Sequence, residues 1–112
     1  MIEDLRTNPR VSFFIGADIS TSSDGEKKGR AIIRDVSVSG MRIETLNPFE
    51  ADQTLYLDFE VANKFIFKKV AARIKRVFRY GGSYLLGLSF LDKSVRKEMR
   101  EALTYIMKNA KE

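Results

Sequence analysis

Strict alternation of apolar and polar residues in Thr54–Val61 constrains the fold more than any other feature of the sequence. Leu55, Leu57, Phe59 and Val61 fall on one side of an extended chain, and polar residues or a tyrosine separate them. Because successive side chains of a β-strand point to opposite faces, this period of two predicts a strand with one face buried. We therefore expect the core to be built from sheet faces.

Five further segments are rich in β-branched, aromatic or alternating residues and are predicted to be strands. They are Val11–Ile19, Arg30–Arg34, Met41–Glu44, Phe65–Arg79 and Tyr84–Leu91. The polar stretch from Ser20 to Gly29 contains an Asp-Gly step and predicts a hairpin loop. Tyr80–Ser83 contains a Gly-Gly pair, typical of a tight turn. Gly87 predicts a bulge or a close backbone approach.

The hydrophobic period changes after residue 91. Apolar residues then recur at the spacing of an amphipathic helix, with Asp92 or Ser94 as the candidate N-cap. These residues are Val95, Met99, Ala102, Leu103 and Ile106. Six strands followed by one helix predict an all-β fold with a C-terminal helix, in which the helix packs on a six-stranded antiparallel β-barrel.

The composition excludes most hydrolytic and zinc chemistry. The chain of 112 residues has no cysteine and no histidine, which removes disulfides, thiolate ligands, the commonest general base and the commonest neutral metal ligand. No nucleophile or phosphate-loop motif organises the remaining serines and lysines. We predict a binding protein and not an enzyme, with no cofactor and no metal.

Two further expectations follow from composition and charge. No run of about 20 apolar residues is present, and the N-terminus does not have the order of a signal peptide, so a cytoplasmic protein without a membrane partner is expected. The net charge of +5 favours an anionic partner. Because most basic residues are interleaved with acidic ones, charge alone does not choose that partner.

Arg6-Thr7-Asn8-Pro9-Arg10 is the first candidate binding motif. Pro9 disfavours a helical conformation for Asn8, so the segment is expected to be extended or turned. In an extended chain the two arginines lie about 13 Å apart on the same side, and both can reach one anion. Taken alone, such a pair is more often a pair of solvated arginines.

Asp35-Val36-Ser37-Val38-Ser39-Gly40 is the second candidate and is predicted to be a six-residue connection between strands. Asp and Ser side chains bond readily to nearby backbone N–H groups, so on its own the stretch is best explained as a polar turn. A binding role requires a ligand with donors for Asp35 and a polar group for Ser37. The Watson–Crick edge of guanine has such donors, and its Hoogsteen edge has acceptors that match an arginine.

Together the two motifs resemble the PilZ domain family. The family pattern of RxxxR followed by (D/N)xSxxG is matched at Arg6, Arg10, Asp35, Ser37 and Gly40. The later runs VAARIKRVFR and YLLGLSF are similar to the closing strands of the family. The resemblance covers nearly the whole chain and implies one domain of the PilZ-like split-barrel type over 1–112. Within it, 1–10 would be a flexible ligand-binding segment, 11–91 the barrel and 92–112 the helix.

The resemblance implies a bacterial receptor for cyclic di-GMP (c-di-GMP), a second messenger with two guanines and two phosphates. The two arginines would bind phosphate and guanine edges, Asp35 and Ser37 would bind guanine or phosphate, and Gly40 would let the backbone approach the ligand. Leu5, directly before the first arginine, implies one ligand molecule per domain. Arg34 and Ser39 are secondary candidates.

Three functions remain open at this point. The first is a receptor that relays the signal to a downstream effector protein by a conformational change. The second is an RNA- or single-stranded-DNA-binding β-barrel, which the positive charge and the aromatic content would allow, although the motifs disfavour a nucleic-acid partner. The third is a PilZ-like adaptor that acts only through protein contacts; such members usually lack the arginines or the aspartate.

Overall fold

Six antiparallel strands close into a barrel in the computed structural model, which describes residues 11–21 and 29–109. The elements are β1 (Val11–Ser20), β2 (Gly29–Val36), β3 (Gly40–Thr45), β4 (Thr54–Val61), β5 (Phe65–Tyr80), β6 (Ser83–Phe90) and the helix α1 (Lys93–Asn109). The order around the barrel is β1-β2-β3-β6-β5-β4, and β4 pairs back onto β1. The predicted fold class is confirmed.

Alternation along the strands builds the core inside the barrel. Leu55, Leu57, Phe59 and Val61 of β4 are all buried, as their spacing predicts. Phe59 lies opposite Phe67 on β5, and their rings stack with centroids 4.8 Å apart. Each side chain of this size removed from water contributes about 1.5–3 kcal/mol, so the barrel interior is the main source of stability.

The helix extends this core with one apolar face. Val95, Met99, Ala102 and Leu103 are buried in the same hydrophobic cluster as the strands. Asp92 caps the helix, since its Oδ1 accepts hydrogen bonds from the backbone N–H of Ser94 at 3.0 Å and from its hydroxyl at 2.9 Å. No helix among the described residues is long and apolar enough to span a membrane.

Several strand ends differ from the sequence prediction. β1 continues to Ser20 and β2 begins at Gly29, so both ends of the predicted Ser20–Gly29 loop belong to strands, while residues 22–28 lie outside the described residues. β2 also continues beyond Arg34 to Val36. Pairing with neighbouring strands extends a strand into polar residues that local sequence assigns to a loop, because each added residue gains ladder hydrogen bonds.

Gly40 is required by the close approach of β3 and β6. It starts β3 and lies opposite Ser89 in the ladder between these strands. A Cβ atom at this position would overlap the carbonyl oxygen of Leu88, which is backbone and cannot rotate away. The glycine that resembles part of a binding motif therefore has a structural role in closing the barrel.

We predict that Gly40→Ala lowers the free energy of unfolding by about 1–3 kcal/mol, the usual cost of forcing extra atoms into a packed site. Gly82→Ala is the matched control, because a Cβ at Gly82 meets no atom within 4 Å. Urea unfolding followed by far-UV circular dichroism measures both variants. Equal stabilities of the two variants would show that β3 and β6 can separate without cost.

Candidate ligand-binding site

The Asp35–Gly40 stretch forms a much shorter turn than predicted. The backbone N–H of Ser37 donates to the carbonyl of Gly40 at 2.8 Å, and only Val38 and Ser39 lie between them. Asp35 belongs to β2 and Gly40 to β3. The prediction of a six-residue connection is therefore wrong: β2 ends at Val36 and β3 begins at Gly40, so only the three residues 37–39 connect the two strands.

A β-bulge at Arg34 places Asp35 on the outer surface of the barrel. Ile33 pairs with Ile43 and Asp35 pairs with Arg42, so β2 has one residue more than β3 at this point. Without the extra residue, the alternation that buries Ile33 would direct the Asp35 carboxylate into the apolar core. The bulge moves Asp35 to the face of Arg42 and turns Val36 inward, where it is fully buried.

Asp35 and Arg42 form a tight ion pair across β2 and β3. The carboxylate Oδ2 accepts a hydrogen bond from Arg42 Nε at 2.7 Å and lies 2.5 Å from Arg42 Nη2 in the ion pair. The Asp35 side chain is 3% exposed, whereas that of Arg42 is 50% exposed. The hydrogen bond to Asp35 and then its negative charge raise the pKa of Arg42 above its ordinary value, and partial desolvation opposes them.

Arg34 is engaged by a different carboxylate. Its Nη1 donates to Oε1 of Glu44 at 2.6 Å, and the hydroxyl of Ser83 donates to Oε2 at 2.8 Å. The hydrogen bond from Ser83, followed by that from Arg34, lowers the pKa of Glu44. This network ties β2, β3 and the start of β6 together, which gives Arg34 a structural partner that the sequence did not indicate.

A groove of about 570 Å³ begins at the turn and runs over the outer face of β3, β6 and β5. Its lining is polar and basic, with an exposed aromatic ring. The lining residues are Ser37, Ser39, Gly40, Met41, Arg42, Lys75, Arg76, Phe78, Leu85, Gly87, Leu88 and Ser89. None of these residues is acidic, so the groove suits an anion.

One row of residues crosses the groove from strand to strand. Asp35 pairs with Arg42, Arg42 pairs with Gly87, and Gly87 pairs with Arg76. Strands in a sheet lie about 4.8 Å apart, so Arg42 and Arg76 stand roughly 10 Å apart with Gly87 between them. Since Gly87 has no side chain, the row leaves a gap between two guanidinium groups.

A second bulge, on β5, brings two cations into this groove. Ile74 pairs with Leu88 and Arg76 with Gly87, so Lys75 is the extra residue, and both Lys75 and Arg76 are exposed. The bulge predicted at Gly87 does not lie in β6: the extra residue is Lys75 on the paired strand β5, and a Cβ at Gly87 would meet only Arg76 Cβ at 3.7 Å. The sequence analysis did not identify Lys75, Arg76 and Phe78 as groove residues. The adjacent basic residues, which interrupt the alternation of β5, were the sequence feature that could have indicated the bulge.

The structure brings together only part of the predicted site. Ser37, Ser39 and Gly40 line the groove, while Asp35 stands behind Arg42 and does not line it. The Ser37 hydroxyl donates to the carbonyl of Gly40 at 3.3 Å. Arg34 is not among the lining residues. Three predicted residues lie outside the described residues: Leu5, Arg6 and Arg10.

Comparison with protein families gives one match. The model of the PilZ domain matches residues 4–108 of this chain. Comparison with curated proteins finds no significant match.

Solved structures with a similar fold include three proteins of low sequence identity. YcgR of Escherichia coli in complex with c-di-GMP has a TM-score of 0.73 at 14% identity, with 92% of this chain and 46% of that chain covered. The MrkH–c-di-GMP complex of K. pneumonia has a TM-score of 0.72 at 17% identity, with 93% of this chain and 52% of that chain covered. The inhibitor of motility MotI/DgrA of Bacillus subtilis has a TM-score of 0.70 at 12% identity, with 95% of this chain and 53% of that chain covered. This chain therefore spans about half the length of these proteins.

The Glu44 network predicts a pH-dependent contribution to stability. Because the pKa of Glu44 is lowered on folding, its contribution is complete above the pKa of the unfolded carboxyl, about 4.3, and is lost as the pH falls through the lower folded value. We expect wild type to exceed Glu44→Gln in free energy of unfolding by a constant amount above about pH 5, and the difference to shrink below about pH 4.

Urea unfolding between pH 3 and pH 7 measures this difference. Ser83→Ala removes the largest cause of the lowered pKa of Glu44. The free energy of unfolding of this variant should therefore depend less on pH than that of wild type. A difference that grows as the pH falls would contradict the lowered pKa.

Proposed function

The chain belongs to the PilZ domain family, and from this premise we propose that it is a bacterial receptor for c-di-GMP that binds the dinucleotide at the groove beside the Asp35–Gly40 turn. The observation that carries the proposal is the position of the motif. Ser37, Ser39 and Gly40 form one end of a groove whose other walls present three cations and no acid among the described lining residues. Its polar end suits a base and its basic walls suit phosphates.

The groove offers a partner for each chemical part of c-di-GMP. Arg42, Lys75 and Arg76 are the cations available to the two phosphates. Phe78 is 52% exposed and offers a ring on which a guanine can stack. Asp35, which stands behind Arg42 and does not line the groove, is assigned the paired donors of a guanine edge. These groups come from β2, β3 and β5, so the site depends on the assembled barrel.

Arg6 and Arg10 are assigned to the ligand through the family motif. In this proposal they bind phosphate and guanine edges from the N-terminal side, and Leu5 before them corresponds to one ligand molecule per domain. A bidentate arginine–guanine contact contributes about 1–3 kcal/mol of discrimination. Several such contacts, reduced by the free-energy cost of association, give an expected affinity of about micromolar.

The signal is proposed to leave the protein through a conformational change. Binding rearranges the N-terminal segment and the residues around the groove, and a downstream effector protein reads the altered surface. In support, the structural relatives include MrkH, described as a c-di-GMP-dependent transcription regulatory factor, and an inhibitor of motility. The effector that reads the surface of this chain is to be identified by binding experiments with its own partner proteins.

A single-stranded nucleic acid is the second candidate ligand, and the groove gives it specific support. Basic side chains next to an exposed Phe78 are also the elements that bind unpaired nucleotides without sequence preference. The two functions differ in their salt dependence and in competition. A nucleic-acid groove predicts steep salt dependence and broad oligonucleotide binding, whereas a receptor predicts one saturable site for the guanine dinucleotide.

We predict that calorimetric titration detects c-di-GMP binding and that Arg10→Ala and Asp35→Ala each abolish it at micromolar ligand. The reason is that each variant removes a charged partner of a guanine or a phosphate. Far-UV circular dichroism should remain that of wild type. GTP and a random oligonucleotide are the control ligands. Retained affinity in both variants would overturn the site, and preferential binding of the oligonucleotide would favour the second candidate.

We predict that Lys75→Ala and Arg76→Ala each weaken c-di-GMP binding by about 10- to 150-fold, because hydrogen bonds to charged groups contribute about 1.5–3 kcal/mol. Lys68→Ala and Arg73→Ala are the matched controls, since both residues are exposed on β5 but do not line the groove. The same titration measures all four variants. Equal losses in the groove and control variants would indicate a general effect of charge and not a site over β5 and β6.

A further inference from the structure

The carboxylate assigned to guanine already has a partner in the structure. Asp35 is almost completely buried, and its Oδ2 accepts a hydrogen bond from Nε of Arg42 and forms an ion pair with Nη2 of the same guanidinium. Arg42 lines the groove and Asp35 does not. A base lying in the groove therefore reaches Asp35 only if the guanidinium of Arg42 moves.

The guanidinium offers Asp35 the same kind of donor pair as guanine. Nε–H and Nη2–H are two N–H groups on one carbon, and the N1–H and N2–H₂ groups of guanine have the same arrangement. Both present adjacent, nearly parallel donors to a carboxylate. Arg42, whose Nε and Nη2 both contact Oδ2, thus occupies one of the two carboxylate oxygens that a guanine edge would use.

Displaced from Asp35, Arg42 has one suitable new position. Its neighbour across β3 and β6 is Gly87, which leaves a gap on the outer face, and Arg76 stands beyond that gap. Lys75 also lines the groove, and none of the described lining residues is acidic. Three cations around one gap repel each other, so Arg42 gains from moving there only when an anion fills it.

We propose that Arg42 exchanges partners on binding, from the Asp35 carboxylate in the free protein to a phosphate of the ligand over Gly87 in the complex. The exchange rests on the proposed function and adds a specificity-determining residue to it. Guanine takes the two acceptor contacts that Arg42 leaves, and the phosphate takes the guanidinium that guanine displaces. No bond other than hydrogen bonds and ion pairs changes.

The exchange requires guanine and phosphate in the same ligand. Guanosine would displace Arg42 toward two other cations without supplying an anion. Cyclic di-AMP would supply the anion, but adenine has an acceptor at N1 and no paired donors to replace those of Arg42 on Asp35. Each partial ligand therefore replaces only one side of the Asp35–Arg42 ion pair, and only the complete ligand replaces both.

The test is NMR spectroscopy of arginine Nε–H groups in the full chain labelled with ¹⁵N. In the free protein we expect a slowly exchanging Arg42 signal, since its Nε–H is bonded to a buried carboxylate. The signal is assigned through the backbone and checked by its absence in Arg42→Lys. In Asp35→Asn its exchange with water should become at least about tenfold faster, because the acceptor is then neutral. Arg30, which pairs with Asp18 across β1 and β2 at 3.3 Å, is the internal control.

Saturating c-di-GMP should remove the Arg42 signal from its free position, whereas guanosine and cyclic di-AMP at the same concentration should leave it there. The Arg30 signal should stay unchanged with all three ligands. Binding of c-di-GMP with an unmoved Arg42 signal would overturn the exchange and leave the proposed function intact. Equal movement with guanosine or cyclic di-AMP would also overturn it. Absence of c-di-GMP binding by calorimetry would overturn the proposed function, and the exchange with it.

Discussion

The outer face of the barrel depends on one extra residue in β2. The bulge at Arg34 lets Ile33 and Val36 both face the core while Asp35 stays outside it. An unpaired carboxylate in the barrel interior would cost far more than a single domain can offset. The ion pair with Arg42, the short turn at Val38 and the closely approached Gly40 all follow from the register that this bulge sets.

A second bulge complements the first on the far side of the groove. Lys75 is the extra residue in β5, and it directs two adjacent cations outward opposite Gly87. β3 and β6 lie between the two bulged strands and contribute glycines at positions that face the groove. A cleft on the convex side of a barrel needs such gaps, because side chains of ordinary size would fill it.

The structural relatives show that the barrel fold does not require high sequence identity. At 12–17% identity, YcgR, MrkH and MotI/DgrA retain the same barrel over more than nine-tenths of this chain. A barrel requires alternation, closure and a few glycines, and many apolar residues satisfy those requirements. The outward-facing charges are under no such constraint from packing, so related barrels are free to differ in the residues that line their grooves.

The sequence by itself determined the six strands, the helix with Asp92 or Ser94 as its candidate cap and the family motifs, because side-chain period, capping and turn chemistry are local properties. It did not determine that Asp35 would be held by Arg42, that Arg34 would bind Glu44, or that Lys75 and Arg76 would line the groove. Those contacts depend on register, and register is set by pairing between strands that are distant in the chain. A bulge changes which face a residue occupies, and only the closed barrel shows where the bulges fall.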